Sequence, residues 1–306
     1  MIRKHTRRAA KAAFCVSFGV AIVLGGLTAG ALSAPKAQPT IKLGSKNFTE
    51  EYVLAELYKQ ALQAKGFKVE SKGSLGSSEL ADTALTSGKI NMYPEYTGVI
   101  VLDLAHKASP KTADATFRAA KAFEQSRGFT VLNRTPFFDT DSVAVLTSTA
   151  AKYGLHTISD IAKFKGTFRY AGYPECPIRI TCGLGLTKIY GLKNISFLTI
   201  GTIPVTTLID QHKADGGDIF STQPELASGK YAVLTDTKHI FGFQNVVPVV
   251  SKQLVTQLGP KFSSTVNAVS AKLTVQAMIA MNKAVAIDKK SPAAVASAFL
   301  KANGLK

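Results

Sequence analysis

Between Ile41 and Tyr96 the hydrophobic pattern switches repeatedly between the period of a strand and that of a helix, and few folds accommodate this order in so short a span. Ile41 and Leu43 alternate as a strand. From Glu50 to Lys65 the apolar positions Val53, Leu54, Leu57, Ala61 and Leu62 recur at helical spacing, opened by Asn47 or Thr49 as cap and closed by Gly66. Phe67 and Val69 alternate with Lys68 and Glu70 as a second strand. Ser77 or Ser78 then caps a helix through Leu80, Ala84 and Leu85 to Gly88, and Ile90 and Met92 make a third strand. Strand, helix, strand, helix, strand is the order of a doubly wound parallel sheet, whose connections are right-handed and whose ligands sit at the carboxyl ends of the strands. The polar turn from Ser45 to Glu50 and the aromatic, acidic turn from Asn91 to Gly98 both follow such ends, so both are expected to face one crevice.

Beyond this unit, Thr112 to Arg127 reads as a helix with Phe117, Ala120 and Phe123 or Ala119 inward, ended by Gly128. Thr130 to Leu146 is an extended path interrupted around Pro136, which suits a crossover between lobes. A second cycle follows: a helix near Ser159 to Lys163, a strand from Thr167 to Ala171, a helix from about Gly183 to Tyr190 and a strand from Ile195 to Ile200. Pro204 starts a helix from Val205 to His212, and Asp218 to Phe220 is a strand. Phe241 to Val250 is the expected return crossing. Helical patterns at Leu254 to Leu258, Val275 to Ala286 and Ala293 to Leu300, separated by Pro260 and Pro292, are expected to pack back on the first lobe.

The 306 residues suffice for two lobes, each with its own core. Residues 1–34 have the order of a secretory signal peptide: Arg3, Lys4, Arg7, Arg8 and Lys11, an uncharged run from Ala12 to Leu32, then small residues before Pro35. A retained anchor is the alternative; cleavage after Ala31, Ser33 or Ala34 predicts a periplasmic protein. The leader holds five bases and no acids, so the remainder carries +12 of the formal charge of +17. Its lysines are scattered, without a dense basic run or an aromatic and basic RNA signature, which argues for a solvated surface rather than nucleic-acid binding.

Export leaves Cys176 and Cys182, six residues apart, as a pair for a local disulfide in an oxidising compartment; two free thiols are the alternative. The five histidines are spread singly, with none at metal spacing or in a nucleophile signature, and Gly183-Leu184-Gly185 lacks the third glycine of a dinucleotide fingerprint. These patterns favour neither an enzyme nor a metal or cofactor site. Rings are instead plentiful at predicted strand ends: Tyr93, Tyr96, Phe137, Phe138, Tyr170, Tyr173 and Phe220, with Glu95, Asp141, Glu175 and Asp218 beside them. Aromatic faces attract ammonium groups. Tyr93 and Tyr96 point opposite ways, so one of the two is expected to line the crevice. Glu95 is expected to be structural, holding the turn or meeting a loop of a partner protein.

The motifs Gly44-Ser45-Lys46-Asn47-Phe48-Thr49-Glu50, Leu75-Gly76-Ser77 and Tyr93-Pro94-Glu95-Tyr96-Thr97-Gly98 resemble those of ABC-transporter substrate-binding proteins of the glycine betaine, choline and osmoprotectant family. Ile189-Tyr190-Gly191-Leu192 and Phe220-Ser221-Thr222 continue the resemblance. It implies an α/β, type II periplasmic-binding-protein fold, with each lobe a doubly wound, mostly parallel sheet and two hinge crossings. Lobe one would comprise residues 41–137 and 241–306, and lobe two residues 138–240. A monomer would close on a quaternary amine and dock on an ABC permease that has its own ATPase subunits. A sensory module on the same fold is the rival. Matching residue by residue, the ligand would meet Asn47, Thr49, Tyr96, Asp141, Phe220, Thr222 and Gln244. Three of these depart from the family's tyrosine cage: Asp141, Phe220 and Gln244 stand where tyrosines are expected. Such a site favours a cationic or zwitterionic amine, with Arg179 or the helix start at Asn47 to Glu50 receiving a carboxylate.

Overall fold

The alternating segment at the start of the chain builds one of two sheets. In the computed structural model, residues 38–306 apart from Thr202 are described, together with Cys15. The expected leader, residues 1–34, otherwise lies outside the described residues. β1 (Ile41–Ser45) runs parallel to β2 (Val69–Ser74) on one side and β3 (Met92–Tyr96) on the other. Helices α1 (Thr49–Ala64) and α2 (Ser78–Thr86) connect them. The apolar stripe predicted for α1 is buried throughout, joined by Tyr58, whose hydroxyl lies 2.9 Å from Ser270 Oγ.

Neither expected residue caps α1. Phe48 is the N-cap, in extended backbone with no side-chain bond, and Glu50 and Glu51 in the first turn place negative charge against the free N–H groups instead. At α2 the cap is Ser77, but its hydroxyl donates to Glu79 at 2.6 Å rather than accepting from the backbone. Each start is stabilised by charge where the sequence suggested a conventional cap.

The first sheet is completed by β4 (Phe129–Val131) and β10 (Val246–Ser251), in the order β2-β1-β3-β10-β4. β10 is antiparallel to both of its neighbours. The segment expected as a return crossing thus ends in a central strand, which explains why Val246 to Val250 is apolar on both faces and fully buried. Toward β3, Pro248 costs no ladder bond: Thr97 N–H donates to Asn245 O at 2.9 Å, and counting along the antiparallel ladder makes Pro248 and Pro94 a pair that exchanges no hydrogen bonds. Toward the other neighbour its carbonyl accepts from Leu132 N–H at 2.9 Å, just past the end of β4, so the bond that proline cannot return is missing only at the sheet's edge.

The second sheet repeats this plan with β5 (Asp141–Leu146), β6 (Phe168–Gly172), β7 (Ile195–Thr199), β8 (Gly216–Phe220) and β9 (Tyr231–Leu234), in the order β7-β6-β8-β5-β9. The trio β7-β6-β8 is parallel, and β5 is antiparallel to β8 and β9. Both sheets are therefore mixed: the expected parallel order holds for three strands in each, and strands arriving from the crossings enter antiparallel. The two crossings run side by side, bridged where Asp139 N–H donates to Gln244 O at 3.0 Å and Phe138 pairs with Asn245. Phe137 is buried in the first sheet's core, whereas Ile240 and Phe241 are buried in the second's.

Among the helices, α4 (Ala113–Ser126) follows the α3 turn (Thr97–Val99) and is capped by Thr112, which accepts from Ala115 N–H at 3.1 Å. α5 (Thr147–Tyr153) and α6 (Val205–Asp210) flank the second sheet. α7 (Lys252–Lys272), α8 (Val275–Ala286) and α9 (Pro292–Ala302) pack on α1, as expected. Pro260 does not end α7. Gly259, at φ 70° and ψ −169°, turns the axis, Pro260 restarts the helix, and Phe262, Val266 and Val269 continue its buried face. Among the described residues, no helix is long and apolar enough to cross a membrane.

Candidate functional site

The carboxyl ends of β1 and β3 meet the start of β5 and the end of β8 around one cavity. The space free of protein atoms there is about 600 Å³, which includes open solvent at the mouth. β1 delivers Lys46, Asn47 and Phe48; β3 delivers Tyr96; β5 and β8 deliver Asp141, Asp218 and Phe220. The crossings contribute Asp139 and Gln244, and the turn after β6 contributes Tyr173, Glu175 and Arg179.

Four rings follow one another along the wall. Phe48 lies 6.3 Å from Tyr96 and 5.1 Å from Phe220, with ring planes tilted by 17° and 20°. Tyr173 lies 6.1 Å from Phe220. The faces already attract one cation: Lys46 Nζ stands 4.2 Å from the Tyr96 centroid and 5.6 Å from that of Phe48. Lys46 is buried and paired with Glu95 and, at 3.4 Å, with Glu51. Glu95 also accepts from Tyr96 N–H at 2.8 Å. The expected structural part for Glu95 thus has a concrete form, since its carboxylate fixes both the turn and the lysine.

Glu50 forms a second buried centre. It accepts from Tyr96 Oη at 2.9 Å, Thr222 Oγ1 at 2.6 Å and Asn282 Nδ2 at 3.0 Å, so it ties β3, the end of β8 and α8 together. Burial raises its pKa despite these bonds, and raises Glu51 to about 8 against the pull of Lys46. Two further contacts join the bodies of the two sheets. Arg179 grips Glu79 from Nε at 3.0 Å and Nη2 at 2.8 Å, and Thr181 Oγ1 donates to Asp103 at 2.9 Å. Burial raises Asp103 to about 6.

Of the residues expected to meet a ligand, Asn47, Tyr96, Asp141, Phe220 and Gln244 line this cavity. The Gln244 amide is fully engaged by the backbone: its oxygen accepts from Val99 N–H at 3.0 Å and its nitrogen donates to Phe241 O at 2.9 Å. Thr49 and Thr222 line an adjoining cleft on the far side of Phe48 and Phe220. Tyr93 is buried in the core behind the sheet, opposite to Tyr96 as strand alternation requires. Tyr170 is a core residue of the second sheet. Arg179 lines the cavity but is occupied by Glu79 and Glu175, and the start of α1 already holds two glutamates, so neither expected receptor for a carboxylate is free.

Phe48, Lys46 and Asp139 were not singled out by sequence reasoning. The signal for Phe48 was its place between a strand and a helix's first turn, where an extended residue projects over a strand end. Cys176 and Cys182 form a disulfide, which closes the turn carrying Arg179 and Thr181.

A family model described as the substrate binding domain of an ABC-type glycine betaine transport system matches residues 39–302. The chain belongs to this family. A glycine betaine-binding protein of Pseudomonas aeruginosa is 31% identical over 292 residues, covering 90% of this chain and 92% of that protein. A glycine betaine-binding protein of Escherichia coli is 25% identical over 288 residues, covering 90% and 94%. A solved glycine betaine/carnitine/choline ABC transporter structure superposes with a TM-score of 0.69 at 24% identity, over 87% of this chain and 99% of that one. The mixed sheets are those of the type II binding-protein fold that such relatives share, and the cavity between them is where this substrate-binding protein brings its strand ends together.

Proposed function

We propose that this chain is an exported solute-binding protein that captures a small quaternary amine of the glycine betaine, choline and carnitine type, or a related cationic or zwitterionic amine, and delivers it to an ABC permease. The observation that carries this reading is the run of rings Tyr96, Phe48, Phe220 and Tyr173 beside Asp139, Asp141 and Asp218 in a cavity bounded by both sheets. Ring faces and carboxylates both favour a cation. Residues 41–137 and 241–306 act as one lobe and 138–240 as the other, joined by the paired crossings. A solute entering the open form is held from both sides, and the closed form docks on the permease. The chain works as a monomer, its leader is removed on export, and it neither turns over the solute nor binds nucleic acid.

Within the site, Asn47, Tyr96, Asp141 and Phe220 contact the ligand directly. Titration calorimetry with choline, glycine betaine and carnitine tests this. Binding of at least one amine is expected, and Asp141→Asn should weaken it by more than about twofold, roughly 0.4 kcal/mol. Absence of binding by every amine would defeat the reading.

A further inference from the structure

The cavity contains carboxylate oxygens that no protein group answers. Asp139 and Asp218 are only 3% and 6% exposed. Asp139 Oδ1 accepts from Ser221 Oγ and Thr222 N–H, each at 3.0 Å, but its Oδ2 has no partner among the described residues. Asp218 Oδ1 has none either. Its Oδ2 lies 4.0 Å from Cys182 Sγ, and that sulfur, bonded to Cys176, has no proton to donate. Asp141 joins them from the same sheet face, because it pairs with Phe220 across β5 and β8 while Val143 pairs with Asp218.

The cations on the wall do not answer these oxygens. Lys46 is matched to Glu51 and Glu95, and Arg179 to Glu79 and Glu175. No three of the described acidic, histidine or cysteine side chains converge closely enough to hold a metal ion. Buried polar oxygens are nearly always hydrogen-bonded, and a buried carboxylate needs both charge and donors. A trimethylammonium supplies the charge and no donor. A primary, secondary or tertiary ammonium supplies both, with its CH₂ groups still free to lie against Phe48 and Phe220.

We infer that Asp139, Asp141 and Asp218 form a subsite that selects N–H-bearing ammonium ligands over fully methylated ones. This rests on the amine-binding reading above and narrows it.

The test is titration calorimetry of the purified protein with matched pairs, choline against ethanolamine and glycine betaine against dimethylglycine. In at least one pair the N–H-bearing member is expected to bind at least about tenfold tighter, the scale of a charged hydrogen bond. Asp218→Asn should reduce that preference at least about fivefold. Equal or tighter binding of the methylated member in both pairs would overturn the subsite while leaving amine capture intact. No binding by any of the four would overturn both. A preference unchanged in Asp218→Asn would also refute the assignment, and the wild-type comparison stands whether or not that variant folds.

Discussion

At the scale of single residues, the site is governed by what burial does to charge. Burial raises Asp141 to about 7, opposed by Arg179 and Lys46 and reinforced by Asp103 and Glu175. Burial also raises Asp139 and Asp218, each reinforced by a neighbouring carboxylate. A cation binds the ionised form, so the contribution of Asp141 is full above about 7 and declines as pH falls through that value. Choline isolates this effect because its own charge does not titrate. Its affinity should be at least about tenfold weaker at pH 5.5 than at pH 8, and Asp141→Asn should flatten the profile. Gly98 illustrates packing at this scale: a Cβ there would stand 2.6 Å from Gln244 Oε1. Gln244 cannot give way without releasing Val99 N–H and Phe241 O. Gly98→Ala should cost about 1–3 kcal/mol of stability in chemical denaturation.

Individual elements place these residues. The turn after β6 carries Glu175, Arg179 and Thr181 and is closed by the Cys176–Cys182 bond. Replacing both cysteines with serine should cost about 2 kcal/mol, the loop-closure entropy of so short a segment. It should also weaken amine binding, because Arg179 and Thr181 reach across to Glu79 and Asp103. Urea denaturation and calorimetry on one variant read the two effects separately. In α7, Gly259 occupies backbone space that other residues enter only with strain. Gly259→Ala should therefore lower stability by about 1–3 kcal/mol, and unchanged stability would show that the kink relaxes.

At the scale of the whole molecule, the two sheet bodies meet around the cavity through Thr222–Glu50, Thr181–Asp103 and Arg179–Glu79. These contacts stabilise a closed arrangement, so their loss should favour an open one. Arg179→Ala should enlarge the radius of gyration of the ligand-free protein in small-angle scattering, with saturating amine restoring the smaller value. An unchanged radius without ligand would show that the clasp does not set the equilibrium. Burial would raise Glu79, but the hydrogen bonds and charge of Arg179 outweigh it and lower Glu79 to about 2. The contribution of this pair is therefore complete above the ordinary carboxylate value and is lost only as pH falls toward about 2.

The sequence by itself determined the parallel trio of the first sheet, the second cycle of strands and helices, the opposite facing of Tyr93 and Tyr96, and the pairing of Cys176 with Cys182. Each is a local property: period, alternation and short separation are visible within a few residues of one another. Tertiary structure alone decided the rest. Val246 to Val250 became a central strand because β3 and β4 left an antiparallel place between them, and Tyr231 to Leu234 became a strand only by pairing with β5. Family matching put Thr222 and Gln244 at the ligand, but their bonds to Glu50, 172 residues away in sequence, and to Val99, 145 away, were not legible in it. Conversely, Phe48 gained its place from Phe220 across the cavity, and Asp139 from Ser221 and Thr222, 82 and 83 residues away in sequence. A hydrogen bond or ring contact between segments so distant leaves no period in the chain, since either partner alone is an ordinary polar or aromatic residue until folding brings the two together.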